Sequence, residues 1–165
     1  MKILIVGGGS SLARVLLPAL SSFAEVVTAG RSGCDVELDL ACEYEQFQLP
    51  KDLDVVVHLA AHFGGEDFAG ILAAEKVNAL GSLKLCHAAQ SAGVRHLVQV
   101  STIFVSLVEE SPFFSGYALS KRHAEDLVRL YCAGVNLPFT ILRPAQIYGV
   151  GSAFRKHQPF LHNII

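Results

Sequence analysis

The sequence has few charged residues, no cluster of basic side chains and no long apolar run. Charged residues make up 17% of the 165 residues and the net charge is −2, whereas 52% of the residues are hydrophobic. A chain of this composition buries a core instead of remaining disordered. Because no basic stretch is present, we expect neither nucleic acid nor an anionic membrane surface as a partner.

No apolar run reaches the roughly 20 residues that a membrane-spanning helix needs. The first run covers only residues 3–6 before glycines follow, which is too short for the apolar part of a secretory signal. The four cysteines are scattered and form no CxxC pair, so we expect reduced thiols. These absences favour a cytoplasmic protein.

Short apolar runs rich in Val, Ile and Leu alternate with longer segments of helical period. Strands are predicted at residues 2–6, 25–29, 36–38, 54–59, 94–100 and 139–142. Helices are predicted at residues 11–23, at roughly 68–92 and at 117–133, with Gly93 and Gly134 at the ends of the last two. Continuous apolar strands that alternate with helices indicate a single α/β domain with a parallel sheet.

A glycine-rich turn joins the first strand directly to the first helix. Glycines at this place allow a tight turn and let the backbone approach a pyrophosphate at the start of a helix. The candidate cofactor-binding residues here are Gly7, Gly8, Gly9, Ser10, Ser11 and Leu12. The alternative is a plain turn between a strand and a helix.

The end of the second strand bears on the choice of dinucleotide. An acidic residue at this place would bind the adenosine ribose of NAD, but this chain has Arg31 and Ser32. Arg31 could pair with a 2′-phosphate, so NADP is favoured over NAD, unless Arg31 is only a solvated loop residue. Asp39, next to Leu40, is a candidate for contact with the adenine amino group.

Further motifs follow the glycine turn in a fixed order. They are His58-Leu59-Ala60-Ala61, Asn78, Val100-Ser101-Thr102, Tyr117-Ala118-Leu119-Ser120-Lys121, Leu142-Arg143-Pro144 and Tyr148-Gly149. This set resembles the extended short-chain dehydrogenase/reductases, the NAD-dependent epimerase/dehydratase group. The resemblance implies a Rossmann-type doubly wound parallel sheet with helices on both faces, and an NAD(P)-dependent epimerase or oxidoreductase.

Tyr117 and Lys121 are four residues apart and therefore share one face of a helix. A free tyrosine is a poor base at neutral pH, so a nearby lysine and an oxidised nicotinamide would have to lower its pKa. The resemblance makes Tyr117 the acid or base of a hydride transfer at a hydroxyl or ketone carbon. It makes Lys121 the residue that holds the nicotinamide ribose, and it places both Tyr117 and Lys121 among the cofactor-binding residues.

The resemblance also assigns the remaining site residues. Thr102, with Ser101 as the second choice, would bind the reacting oxygen. Leu59, Ala60, Ala61 and Asn78 would lie along the cofactor, although Asn78 is expected mainly to order its helix. Arg143 and Pro144 are expected to shape the exit from the last strand.

The family pattern is altered at several points. The GxxGxxG spacing of larger members is here Gly7, Ser10 and Ala13. Dehydratases place Asp-Glu directly after the catalytic Thr, whereas Ile103-Phe104 follow here and cannot transfer protons. Dehydration is therefore disfavoured, which leaves epimerisation or simple oxidoreduction, with a nucleotide-linked sugar as the expected substrate.

Two other patterns admit a functional and a structural interpretation. His58 and His62 have metal-like spacing, but no HExxH motif accompanies them, so no metal site is expected. Phe113 and Phe114 could line a substrate entrance, although a loop packed on the core is the favoured interpretation.

We expect residues 1–150 to form the NAD(P)-binding domain with the Tyr-Lys pair, and residues 151–165 to begin a substrate-binding region that is otherwise absent. A homodimer through the two long helices is possible in proteins of this kind. The alternative function is a non-catalytic dinucleotide-binding or interaction module, which the altered glycine turn and the missing region would suit.

Overall fold

The computed structural model describes residues 1–44, 47–145 and 147. Its strands form one six-stranded sheet in which every neighbouring pair is parallel, in the order β3-β2-β1-β4-β5-β6. The strands are β1 (Lys2–Val6), β2 (Glu25–Gly30), β3 (Val36–Glu37), β4 (Val55–His58), β5 (His96–Val100) and β6 (Phe139–Leu142). The predicted Rossmann-type sheet is confirmed.

Four α-helices connect these strands within the described residues. They are α1 (Ser11–Ser21), α2 (Phe68–Ala74), α3 (Gly81–Ser91) and α4 (Gly116–Gly134). A π-helical segment, Glu75–Leu80, joins α2 to α3, so the predicted helix at 68–92 is one helical run with a wider turn at its centre. Such turns occur often at functional sites. A short 3₁₀ turn, Ile103–Ser106, follows β5.

Alternate residues of the central strand explain why helices cover both faces of the sheet. Ile3 and Ile5 belong to a cluster with Ala13 of α1, whereas Leu4 and Val6 belong to the larger cluster on the opposite face. Successive side chains of a strand point to opposite faces, so a strand that is apolar throughout must be covered twice. The larger cluster also contains Leu85 and Cys86 of α3 and Val128 and Cys132 of α4.

Side-chain caps fix where the helices begin. Ser10 Oγ accepts a hydrogen bond from the Ala13 amide before α1, and Ser115 Oγ accepts one from the Ala118 amide before α4. The C-terminal ends fit the prediction only in part. Gly93 has the expected positive φ of 72°, but at the end of α4 the left-handed residue is Asn136, with φ 55°, and Gly134 is the last helical residue.

The strand order indicates where on the sheet a ligand site is expected. The chain builds outward from β1 through β2 to β3, then returns to β4 on the other side of β1. In open α/β sheets the ligand site lies at the carboxyl ends of the strands at this reversal. The glycine turn after β1 and the loops after β4 and β5 all lie at that edge.

Candidate active site

The glycine turn is closely packed at its start and open at its middle. Gly7 has φ 91°, and a Cβ there would lie 2.6 Å from the Ala60 nitrogen. A Cβ on Gly8 would lie 2.6 Å from Thr28 Cβ, whereas a Cβ on Gly9 would meet no atom within 4 Å. Gly7 and Gly8 therefore let the turn pack on its neighbours, and Gly9 leaves free space above the start of α1.

The first turn of α1 presents donors to this space. The Ser10 amide donates to Gly7 O at 3.0 Å, and the Ser10 side chain caps the helix at Ala13, so the substituted Ser10 maintains the turn. Ser11 and Leu12 occupy the first helical positions, where amides have no partner within the helix. Ala13 is fully buried, which allows close contact between helix and sheet. The open space and these amides fit a dinucleotide pyrophosphate.

The segment after β2 is held by a residue that the sequence analysis did not single out. The Asp35 carboxylate accepts hydrogen bonds from the Thr28 amide and hydroxyl, both at 2.8 Å, and these bonds lower the pKa of Asp35. This folds residues 31–35 back onto β2 and leaves Arg31 and Ser32 exposed at the carboxyl edge. Both are therefore accessible to a ligand beside the glycine turn.

Asp39 and Leu40 have different environments, although they are adjacent. Asp39 is exposed, and its Oδ1 accepts a hydrogen bond from the Ala41 amide at 2.9 Å, which orders the turn after β3. Leu40 is buried and lies close to Gly81 of α3. Asp39 keeps one carboxylate oxygen for a ligand, and its contact with adenine stays a prediction.

The loop after β4 packs against the glycine turn. The amides of Leu59 and Ala60 both donate to Val6 O, at 2.8 and 3.0 Å, and Ala61 continues the loop. Asn78, buried in the π-helical segment, exchanges two hydrogen bonds with the backbone of His62 and donates a third to Ser120 Oγ. The Asn78 side chain thus ties this loop to α4, as expected of an ordering residue, and its contact with a cofactor stays a prediction.

Tyr117 lies at the start of α4 beside the residues that end β5. Burial raises the pKa of Tyr117, and the nearby Thr102 side chain lowers it by a smaller amount. Thr102 is buried next to Ser101, and its Oγ1 also accepts a hydrogen bond from the Phe104 amide at 3.3 Å. The structure therefore brings Tyr117 and Thr102 together, as the resemblance implies.

Lys121 is 2% exposed, and its ammonium donates to Val100 O at 2.7 Å. Burial lowers the pKa of Lys121 to about 8, and the Glu125 carboxylate opposes that fall. The pKa of His58, at the end of β4, is lowered to about 3 by burial and by the nearby Lys121. The prediction was that Lys121 and an oxidised nicotinamide together lower the pKa of Tyr117, and for the pair it stays a prediction. The net pKa shift of Tyr117 is upward, because burial dominates and the ammonium is directed at Val100 O.

A buried ion pair behind Lys121 was missed by sequence reasoning. Glu125 is 1% exposed, and both of its oxygens accept hydrogen bonds from the Arg143 guanidinium, at 2.8 and 2.6 Å. Arg129 adds a third contact at 2.9 Å. These arginines hold the pKa of Glu125 below its ordinary value despite burial. Arg143 does fix the exit from β6, but its partner Glu125 is 18 residues away in the sequence, so no local pattern indicates the pair.

The surroundings of Tyr117 are aromatic. The rings of Phe63 and Tyr117 have centroids 5.1 Å apart, and Phe113 is 70% exposed. Phe114 packs under the Arg122 guanidinium at 5.3 Å. Phe113 therefore does not pack on the core, contrary to the favoured interpretation, and its place at a substrate entrance stays a prediction.

Some predicted features lie outside the described residues, and two others concern a metal site and a membrane-spanning helix. Tyr148, Gly149 and the segment 151–165 belong to the part that the structure does not describe. Where the structure does describe the chain, it holds no group of three or more potential metal ligands. In the same ranges, no helix is both long and apolar enough to span a membrane.

Comparisons with known proteins agree with the fold and the arrangement of the candidate site. A family model described as the NAD dependent epimerase/dehydratase family matches residues 3–165. A curated relative, ceramide reductase from Caulobacter vibrioides (strain NA1000 / CB15N), is 33% identical over 104 residues, which are 63% of this chain and 29% of the relative.

Solved structures show the same fold. A dTDP-4-dehydrorhamnose reductase from Clostridium acetobutylicum ATCC 824 is 29% identical with a TM-score of 0.73, over 99% of this chain and 60% of that one. A UDP-glucuronic acid 4-epimerase from Bacillus cereus, in complex with NAD, is 23% identical with a TM-score of 0.73, over 90% and 57% of the two chains. This chain thus spans less than two thirds of each of these proteins.

Proposed function

The chain belongs to the NAD dependent epimerase/dehydratase family, and from this premise we propose that it binds NAD or NADP and supports epimerase or oxidoreductase chemistry. One observation carries the proposal. Tyr117 lies beside Thr102, at the same end of the sheet as the open glycine turn. When bound there, a nicotinamide would accept hydride from a hydroxyl-bearing carbon or give hydride to a ketone carbon.

The chain would hold the dinucleotide with its backbone at the reversal of strand order. The amides of Ser11 and Leu12 and the space beside Gly9 would receive the pyrophosphate, where the helix dipole favours negative charge. Arg31 and Ser32, both exposed, would reach the adenosine ribose, and a guanidinium there suits the 2′-phosphate of NADP. We therefore propose a preference for NADP.

The protein's catalytic work would be proton transfer. The Tyr117 hydroxyl would give its proton to a developing alkoxide, or take one from a substrate hydroxyl, while Thr102 binds the same oxygen. Because burial raises the pKa of Tyr117, its phenolate needs a positive charge nearby. Lys121 can supply that charge if its ammonium turns from Val100 O toward the cleft.

We propose a ketone or hydroxyl substrate, with a nucleotide-linked sugar as the first candidate. Two of the similar structures are named for enzymes of nucleotide-linked sugars, but the curated relative is named for ceramide. Ile103 and Phe104 carry no titratable group next to Thr102, so the chain lacks an acid-base pair for loss of water at this place. Oxidoreduction or epimerisation is favoured for that reason.

The test is oxidation of NADH or NADPH, followed by absorbance, with a panel of ketones that includes nucleotide-linked keto sugars. The proposal predicts turnover with at least one member and a loss of about 10²- to 10⁴-fold in Tyr117→Phe. Val135→Ile, a conservative change at the C-cap of α4 away from the site, serves as the control. Because epimerisation consumes no cofactor overall, the same variants are also incubated with nucleotide-linked sugars and the epimers are followed by NMR. Cofactor binding with neither cofactor oxidation nor epimer formation would instead support the non-catalytic module.

The cofactor preference has a separate test. Fluorescence titration of the chain with NADPH and NADH should show tighter binding of NADPH, and Arg31→Ala should remove the difference. Equal binding by the wild-type chain would end the role given to Arg31 while leaving the site intact.

Two further features complete the proposal. We propose a cytoplasmic location and a homodimer through the two long helical runs, whose exposed apolar residues include Leu80 and Leu130. Light scattering on the wild-type chain and on Leu130→Glu tests the dimer. A wild-type chain that stays monomeric at high concentration would contradict it.

A further inference from the structure

Three ionisable residues lie in one row along α4. Tyr117, Lys121 and Glu125 are separated by four residues each, so successive members lie one turn apart on the same face. Lys121 and Glu125 are 2% and 1% exposed. Charged side chains are almost never buried to this degree unless they are paired, and here one carboxylate has two guanidinium partners.

We propose that Glu125 is a positioning residue of the catalytic pair: its buried carboxylate, one helical turn from Lys121 on the same face of α4, keeps the Lys121 ammonium charged. The inference rests on the proposed function only in treating Lys121 as catalytic. The resemblance gives Glu125 no role, and the pairing is visible only in the folded chain.

Lys121 and Glu125 belong to one cluster of ionisable side chains. Their helix contributes Tyr117, and β4 contributes His58, which burial keeps neutral. The Glu125 carboxylate also pairs with Arg143, which follows β6, and with Arg129 of α4. Among the described residues, Glu125 is the acidic group that acts on the Lys121 ammonium.

The balance of these charges bears on the proposed reaction. Burial alone disfavours the Lys121 ammonium, and the Glu125 carboxylate is the opposing influence that leaves the pKa of Lys121 at about 8. Without that carboxylate, the buried Lys121 ammonium would lose the charge that attracts it. A neutral Lys121 could no longer stabilise a Tyr117 phenolate at neutral pH.

A purely structural role for Glu125 makes a different prediction. In that case the carboxylate only ties α4 to the end of β6 through Arg143, in the two hydrogen bonds at 2.8 and 2.6 Å. Its loss would lower the stability of the fold without changing the protonation of Lys121. The protonation of Lys121 is therefore the property to measure.

The experiment follows the ¹³Cε resonances of the six lysines in the full chain by NMR from about pH 6 to pH 11. Lys121→Met identifies the Lys121 signal. The inference predicts that the pKa of Lys121 falls from about 8 to about 7 or below in Glu125→Gln. Glu109→Gln is the matched control, because Glu109 is an exposed acid that also pairs with an arginine, Arg122.

A second variant keeps the test decisive if Glu125→Gln does not fold. Glu125→Met/Arg143→Met replaces the ion pair by apolar side chains, a change that buried pairs often tolerate. The inference predicts a lowered pKa of Lys121 in this folded variant also. A Lys121 titration that matches the wild type in either folded variant would overturn the inference and leave Glu125 a structural tie.

The Lys121 titration and the tests of the proposed function can fail independently of each other. If the wild-type chain binds neither NADH nor NADPH, the proposed function fails, but the Lys121 titration still decides the role of Glu125. If turnover is found, its alkaline limit should move to lower pH in Glu125→Gln together with the Lys121 titration. An unmoved alkaline limit would contradict the link to catalysis.

Discussion

The buried His58 makes the stability of the fold depend on pH. Its side chain is 1% exposed, its Nε2 is 3.1 Å from Ser82 Oγ, and its Nδ1 has no hydrogen-bond partner among the described residues. Burial and the Lys121 ammonium lower the pKa of His58 to about 3 from its ordinary value of 6.5. A charged imidazole would place a second cation beside Lys121 in the buried interior.

The sign and size of the effect follow from linkage. Below pH 6.5 the unfolded chain binds a proton at His58 that the folded chain does not bind until about pH 3, so acidification favours unfolding. The stabilisation is complete above pH 6.5 and is lost progressively toward pH 3. At about 1.36 kcal/mol per pH unit, the loss between pH 6.5 and pH 5 is about 2 kcal/mol.

The assay is urea unfolding, followed by circular dichroism, at pH 7 and pH 5. The lower pH of the assay, pH 5, lies above the ordinary pKa of carboxyl groups. The pKa of Glu125 is lowered further from 4.5 in the fold, so carboxyl groups contribute little to the change in unfolding free energy. The free energy of unfolding of the wild type should fall by about 2 kcal/mol relative to His58→Gln between the two pH values. His96→Gln, at a surface histidine bonded to Thr140, is the control.

One result would refute the prediction for His58. If the difference in unfolding free energy between the wild type and His58→Gln is the same at both pH values, His58 is not held neutral by burial. The charge distribution described around Lys121 would then be incorrect as well.

Two further predictions concern the site. Gly7→Ala should destabilise the fold by about 2 kcal/mol or more, since its φ is 91° and the new Cβ would lie 2.6 Å from the Ala60 nitrogen, whereas Gly9→Ala should fold normally; equal melting temperatures would contradict this. Tyr117→Phe should keep cofactor affinity within about 3-fold of the wild type, because the pyrophosphate site is formed by the turn and α1; a titration that shows lost binding would place Tyr117 in the binding site itself.

The fold was largely predictable because its signals are local. Strands such as β1 and β4 are apolar throughout, which only a sheet covered on both faces accommodates, and helices alternate with them. The serines that cap α1 and α4 are also residues typical of helix starts. The π-helical turn at Glu75–Leu80 was not predictable, because it depends on how Asn78 ties the helix to the loop after β4.

The site was predictable only where the spacing of a sequence motif fixes the relative positions of its residues. The turn after β1 and the spacing of Tyr117 and Lys121 fix their own relative positions. The pairing of Glu125 with Arg143 joins residues 18 positions apart, and nothing local indicates it. The balance of pKa shifts at Tyr117 depends on burial and on where the Lys121 ammonium is directed, which are properties of the folded chain.

We propose above all that the open space at Gly9, above the start of α1, receives a nicotinamide dinucleotide. Fluorescence titration of the wild type and Gly9→Ala with NADH and NADPH tests this directly. A methyl group at Gly9 meets no atom of the protein within 4 Å, but it would fill the space proposed for the pyrophosphate. We expect saturable binding by the wild type and at least 10-fold weaker binding by a folded Gly9→Ala, a loss of about 1.4 kcal/mol. No binding by the wild type, or equal binding by both, would contradict it.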